Sequence, residues 1–263
     1  MLTATSSLPI STLAPSGAAP ASSPGSRPAP AAPAPQVDFD SLSSVQRWKR
    51  SAVLLRNILR DPQDTEQVLE FLGLINSGPA IKKRIERFFT NPAGVALFDQ
   101  RRAIDSRTVD LDALAALPDG TLGHAYARFL RSHGLTPEVF DGPPAGISDP
   151  RRSYLVQRMR QTHDLWHVVT GCETDPSGEV ALQAFTFAQV GSPGSGFLAV
   201  FGALRNAREA RSTGILRDVV AYYRTGKRAN PLPTFAWEDH WATPLSEVRT
   251  MLGLPVTPVA RAA

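Results

Sequence analysis

Cysteine is nearly missing from this chain: Cys172 is the only one in 263 residues. One thiol excludes an internal disulfide and any cysteine-rich zinc module, so the chain needs no oxidising compartment. Lysine is almost as scarce, with 4 among the 28 basic residues. That bias toward arginine suits a GC-rich bacterial genome. No apolar run approaches the roughly 20 residues required to span a bilayer as a helix, which excludes an integral helical membrane protein. A dominant charge is absent too. The 28 basic residues face 24 acidic ones, and the formal net charge is +4. Basic residues are scattered among acids with no block of one sign, so nucleic acid is not an expected partner. The small excess suits an anionic membrane surface or a phosphate-bearing ligand. What is present is a hydrophobic fraction of 42% against 20% charged residues, enough to fill a sizeable core.

Composition changes sharply near residue 38. Residues 1–37 hold eight Pro, nine Ala and seven Ser, with Arg27 as the only charged side chain. Such a stretch has too little apolar bulk to offset chain entropy, so residues 1–40 are expected to form a disordered tail. It has neither the basic start and continuous apolar core of a secretory signal nor the several arginines of a mitochondrial presequence. Residues 41–263 read as helices divided by Pro and Gly. Predicted helices cover 41–60, 65–75, 79–89, 111–117, 122–130, 151–170, 179–190, 197–210, 216–223 and 244–252. In the first, Val45, Trp48, Ala52, Leu55 and Leu59 recur every three or four residues as the candidate buried stripe. Period-2 strand runs and internal repeats are lacking, and the expected class is all-α in a single domain.

Chemistry concentrates in His163-Asp164-Leu165-Trp166-His167, with Glu179 twelve residues after His167. Positions four apart on a helix sit one above the other, so His163 and His167 can offer two imidazoles to one ion. Gly171 should end that helix, and Asp175-Pro176-Ser177-Gly178 should form a turn. A helix beginning at Glu179 then returns its carboxylate toward the pair. Two His and a carboxylate are a common zinc set. Asp164, about 100° around the helix from His163, is either a fourth ligand or the partner that orients an imidazole. Spacing alone leaves a metal site and a satisfied polar core as alternatives. A protease is disfavoured, because the second position of a His-Glu-x-x-His motif is here Asp164.

The pattern His-Asp-x-x-His, eleven residues, then Glu resembles the Coq4 family of coenzyme Q (ubiquinone) biosynthesis proteins. The likeness extends in collinear order over about residues 41–254. It includes Asn91-Pro92-Ala93-Gly94 and Leu117-Pro118-Asp119-Gly120-Thr121-Leu122-Gly123 followed by Tyr126. Tyr154, Arg158 and Arg160 belong to it, as do Trp237-Glu238, Pro244-Leu245 and Arg249. The resemblance implies an all-helical protein holding a divalent metal, zinc first and iron(II) as the alternative, at His163, Asp164, His167 and Glu179. It implies a prenylated quinone precursor as ligand and other coenzyme Q biosynthesis proteins as partners. Two activities follow from it: oxidative decarboxylation with hydroxylation at ring carbon C1, or a non-catalytic scaffold that organises the biosynthetic enzymes. The pattern departs at two neighbouring positions, where the family often has Lys and Glu and this chain has Gln183 and Thr186. Gly191-Ser192-Pro193-Gly194 likewise replaces a Gly-Leu-Pro-Met segment.

Arg158 and Arg160 precede the motif by five and three residues. Each is a candidate to hold a substrate carboxylate, set against a structural ion pair for at least one of them. His124, His133 and His240 lack partners at ligand spacing and are expected to be structural, like Cys172. Phe197, Leu198, Val200, Phe201 and Leu204 form either core or a prenyl groove. Lys82, Lys83, Arg84 and Arg87 form a solvated cluster or a contact with anionic lipid. The expected location is the bacterial cytoplasm, peripheral to the inner membrane, with the mitochondrial matrix side as alternative. A homodimer is left open.

Overall fold

The computed structural model of the chain describes residues 39, 42–60, 65–142, 144, 147–210 and 214–257. The tail expected over residues 1–40 lies outside the described residues, Phe39 apart. Among the described residues there are eleven α-helices and no strand, as the all-α reading requires. They are α1 (Ser44–Arg60), α2 (Thr65–Ile75), α3 (Pro79–Phe89), α4 (Pro92–Asp99), α5 (Leu111–Ala115), α6 (Leu122–Ser132), α7 (Pro150–Thr170), α8 (Pro176–Val190), α9 (Pro193–Ala210), α10 (Gly214–Arg228) and α11 (Leu245–Met251).

The two helices that matter most for function are bounded by explicit chemistry. In α7, Pro150 takes the first position and Asp149 caps it, its Oδ1 accepting from the Arg151 and Arg152 N–H groups at 2.8 and 3.3 Å. A capping acceptor and a proline at N1 both satisfy the orphan donors of a helix start. Gly171 ends α7 in the left-handed region at φ 73° and donates to the His167 carbonyl at 2.8 Å. A side chain there would cost strain that glycine does not. Helix α8 starts at Pro176, three residues before the predicted start. Asp175 caps it by accepting from Gly178 N–H at 3.1 Å, so the predicted turn at 175–178 is already the first helical turn.

The large core gathers Leu122, Tyr126 and Leu130 of α6, Leu165, Trp166 and Val169 of α7, Leu182 and Phe185 of α8, and Trp237 from the C-terminal segment. Helix α8 packs on both α9 and α10, while α7 packs on α6. The C-terminal segment is tied to the start of α6. Leu122 and Gly123 donate to Thr243 and Trp241 carbonyls at 2.9 and 2.8 Å, and Leu245 donates to Gly120 at 2.8 Å. Arg249 reaches the end of α7, giving Nε and Nη2 to the Val169 and Val168 carbonyls at 2.9 and 3.1 Å. A cation on the last carbonyls answers both their missing donors and the helix dipole.

A second, smaller cluster joins Leu54 and Ile58 of α1 to Phe71 and Leu74 of α2, with Phe197 and Phe201 of α9 against it. Here the predicted stripe is corrected. Val45, Trp48 and Ala52 face solvent, and the buried face is Leu54 and Ile58, lying about 180° and 220° around the helix from Val45. The side chain of Leu59 is outside what is described. The apolar set on α9 also divides: Phe197 stacks on Phe201 at 5.3 Å and meets Phe71 edge-on at 4.8 Å, whereas Val200 and Leu204 are exposed. Helix α4 was missed by periodicity. Its eight residues are set by Asn91, whose side chain accepts from Ala93 N–H at 2.9 Å, and by Pro92 at the first position.

Candidate metal centre

Helix α7 carries His163 and His167 one turn apart, and their ring centroids stand 4.8 Å from each other at 70°. The turn between Gly171 and Asp175 brings α8 back beside them. It is tight: a side chain on Gly178 would run into the Glu173 carbonyl. Glu179 then points Oε1 to within 3.1 Å of His167 Nε2 and Oε2 to within 3.9 Å of His163 Nε2. One ligand atom from each of the three lies within 4.8 Å of the other two. Two ligands about 2.1 Å from a shared tetrahedral ion are roughly 3.4 Å apart, and the two carboxylate–imidazole distances of 3.1 and 3.9 Å lie on either side of that value.

The group has a closed end and an open end. The His167 side chain is 1% exposed, while His163 and Glu179 are 35% and 39% exposed. His167 Nδ1 lies 2.9 Å from the Cys172 carbonyl. A carbonyl only accepts, so Nδ1 carries the proton and Nε2 presents its lone pair. That Nε2 is buried, and the Glu179 carboxylate is the polar group in front of it, Oε1 at 3.1 Å. Burial pushes the His167 pKa down, but the Glu179 carboxylate, the Cys172 carbonyl and Asp164 push it up further, and the net shift is upward. Phe129 stacks on the ring at 5.6 Å. A cation is the group that suits this donor set: two imidazole nitrogens, one of them buried, beside a carboxylate.

Asp164 stands outside the convergent three. It is buried, with Oδ1 3.4 Å from His163 Nδ1, on the far side of that ring from Nε2. It also acts on Tyr126, whose pKa is raised by burial and, secondarily, by the Asp164 charge. Arg158 does not border this group. It is fully buried, forks onto the Glu238 carboxylate through Nη1 and Nη2, and donates from Nη2 to the Phe235 carbonyl at 2.9 Å. With Tyr154 and Arg102 it lines a separate cavity of about 390 Å³ to which none of the three convergent residues contributes. Arg160 is exposed, one turn before His163, and makes no ion pair among the described residues.

The other histidines lie elsewhere. His124 pairs with Asp119 at 3.1 Å, His133 Nδ1 meets the Phe129 carbonyl at 2.8 Å, and His240 Nδ1 approaches Thr243 Oγ1 at 3.4 Å. Cys172 is buried, and it serves the site through its carbonyl. Sequence reasoning missed that carbonyl, the Phe129 stack and the Asp175 cap. Only the cap had a visible signal, an Asp-Pro pair ahead of an apolar helix.

Comparison with known proteins bears on the whole chain. A family model described as coenzyme Q (ubiquinone) biosynthesis protein Coq4 matches residues 40–258. The mitochondrial ubiquinone biosynthesis protein COQ4 of Coprinopsis cinerea is 31% identical over 218 residues, covering 81% of this chain and 74% of that protein. The mitochondrial COQ4 homolog of Xenopus laevis is 31% identical over 226 residues, covering 86% and 78%. A crystal structure from Nostoc punctiforme PCC 73102, described as a ubiquinone biosynthesis protein, superimposes with a TM-score of 0.65 at 28% identity. It covers 81% of this chain and 99% of its own.

Proposed function

Since the chain belongs to the Coq4 family of coenzyme Q (ubiquinone) biosynthesis proteins, we propose that it is a metal-dependent enzyme of that route, releasing the C1 carboxyl of a prenylated 4-hydroxybenzoate-derived precursor as carbon dioxide and hydroxylating the same carbon, with dioxygen as the oxidant that takes up the two electrons. The observation that carries the reading is the buried His167 Nε2. It faces the Glu179 carboxylate at 3.1 Å and converges with His163 and Glu179. These three residues would hold a divalent ion, zinc or iron(II), with Asp164 orienting His163 or adding a ligand. When bound, the ion supplies Lewis-acid polarisation of a ring or carboxylate oxygen, and as iron(II) on two His and one carboxylate it also supplies oxygen chemistry.

The chain's own residues do the rest. The Cys172 carbonyl keeps the His167 proton on Nδ1. The Asp175 cap holds the first turn of α8, and with it Glu179, opposite α7. Arg160, exposed and one turn before His163, would take the substrate carboxylate. Arg158 is not, because Glu238 occupies its fork. The exposed edge at His163 and Glu179 is the side from which a prenylated ring would approach.

A non-catalytic reading is favoured by two positions on α8. Gln183 and Thr186 follow Glu179 by four and seven residues, so they lie along one helix face. Neither bears the charge that the family often carries there, and the buried Thr186 hydroxyl has no partner. On this reading the protein presents a prenylated intermediate to other coenzyme Q biosynthesis proteins. The compartment is the bacterial cytoplasm at the inner membrane or the mitochondrial matrix; the relatives' names match the second. No described helix is long and apolar enough to cross a membrane.

Two measurements test the proposal. Elemental analysis of protein purified without chelator should find about one divalent ion per chain, and full metal in a His163→Ala/His167→Ala variant would reject the site. Turnover of the prenylated precursor by purified metal-loaded protein, with release of carbon dioxide, separates enzyme from scaffold.

A further inference from the structure

Helix α1 turns an unusual face to solvent. Trp48 is 78% exposed and Val45 64% exposed, with Ala52 and Val53 also exposed. At about 100° per residue, Trp48, Ala52 and Val45 fall within roughly 60° of one another. Arg56, Lys49 and Arg60 fill the next 60°. All three are exposed, and none makes an ion pair among the described residues. The 17 residues of α1 contain five basic side chains and no acidic one. Arg50 pairs with Glu70 of α2 and Arg47 donates to the Leu42 carbonyl, so the cations without an ion pair among the described residues are the three beside the apolar stripe.

We propose that this face of α1 docks the protein on an anionic phospholipid bilayer, with Trp48 and Val45 entering the headgroup boundary and Lys49, Arg56 and Arg60 meeting lipid phosphates. Aromatic and aliphatic side chains next to exposed cations are the composition of an interfacial helix. The long arginine and lysine stems let their charged ends reach the headgroups while the stems lie along apolar surface. A second copy of the chain is disfavoured as the occupant, because it would set the same three cations against each other. The basic cluster on α3 is a weaker surface: no large apolar residue of α3 is exposed, so it offers charge without an anchor. Docking through α1 is independent of the proposed reaction, since it requires neither metal nor prenylated substrate.

The test uses the full chain and vesicles of phosphatidylcholine, with and without about one third phosphatidylglycerol. Wild-type protein should sediment with the anionic vesicles and not with the neutral ones, and binding should weaken as salt rises. The intrinsic fluorescence should shift to the blue on binding, because Trp166 and Trp237 are already buried and Trp241 is half-buried against Tyr126, which leaves the exposed Trp48 as the one on the docking face to change environment. Val45→Ser/Trp48→Ser and Lys49→Gln/Arg56→Gln/Arg60→Gln should each lower vesicle affinity by about tenfold or more with unchanged metal content and melting temperature. Absence of wild-type binding to anionic vesicles would overturn the proposal, and so would binding retained by both variants. A solution dimer that dissociates in the Val45→Ser/Trp48→Ser variant, without vesicle binding, would assign the face to a second copy and overturn it equally.

Discussion

The α7–α8 pair and the α1–α2 pair are each two helices joined by a short link, yet they stand differently in the molecule. The first belongs to the large core, which buries Leu165 and Trp166 of α7 and Phe185 of α8 together with Trp237. The second rests on four buried side chains, Leu54, Ile58, Phe71 and Leu74, and leaves a tryptophan in water. Burial depth is what lets the first pair hold three ligands at fixed spacing, because a close-packed core has low compressibility and resists displacement of its side chains. The shallow pair is suited to contact, where side chains need freedom more than register. Local opening should therefore start at α1–α2 and leave the candidate centre intact.

The sharpest way to break the contrast is at Trp237. Trp237→Ala should cost about 4 kcal/mol of unfolding free energy and lower metal content with it, as read by denaturant titration and elemental analysis. Arg158→Ala comes next, at about 3 kcal/mol, since it leaves the nearly buried Glu238 carboxylate with only the looser 3.9 Å contact to Arg102. Arg158→Met/Glu238→Gln should recover a good part of that loss if the pair is structural, with metal content unchanged in both. In the shallow cluster, Phe71→Ala should cost about 2 kcal/mol. Faster amide exchange should then be confined to α1 and α2, with the metal retained. Exchange that accelerates equally in α7 would show that the two regions open together.

The pH dependence sharpens the centre itself. The His167 pKa is raised above its ordinary 6.5 in the metal-free protein, so a proton competes with the ion. Metal affinity should be level above that raised value and fall by about tenfold, or 1.4 kcal/mol, per pH unit below it. For the metal-free fold the sign is opposite. The imidazolium–Glu179 contact stabilises fully below pH 6.5 and is lost as pH rises through the folded value. Metal titrations between pH 5 and 8 check both. The smallest effect on stability belongs to Glu179→Gln. Its side chain is partly exposed, so the change should alter stability by no more than about 0.5 kcal/mol while sharply lowering metal content. A large loss of fold would make Glu179 structural.

Much of this was legible in residue order. Helix α7 could be placed within one residue because Asp149-Pro150 and Gly171 are local signals. The pairing of His163 with His167 follows from helical pitch alone, and the return of Glu179 needed only one turn. The fate of Arg158 was not legible: its partner Glu238 is 80 residues away, and no periodicity encodes that distance. The exposed stripe on α1 was misjudged for a related reason. An amphipathic pattern with two apolar arcs does not say which arc meets a neighbour, and Leu54 with Ile58 won because α2 and α9 supply Phe71, Leu74 and Phe197 on that side.

Residue order by itself determined the helical class, the ends of α7 and the motif that carries the family resemblance, since all three are written in contacts within a few residues or in a short spacing. Tertiary structure alone decided which nitrogen of His167 is offered, through a carbonyl beyond the end of the helix, and which arginine stays free. It also decided which face of α1 meets water. The reason is that hydrogen-bond partners and burial are properties of neighbours in space, and packing chooses those neighbours from the whole chain.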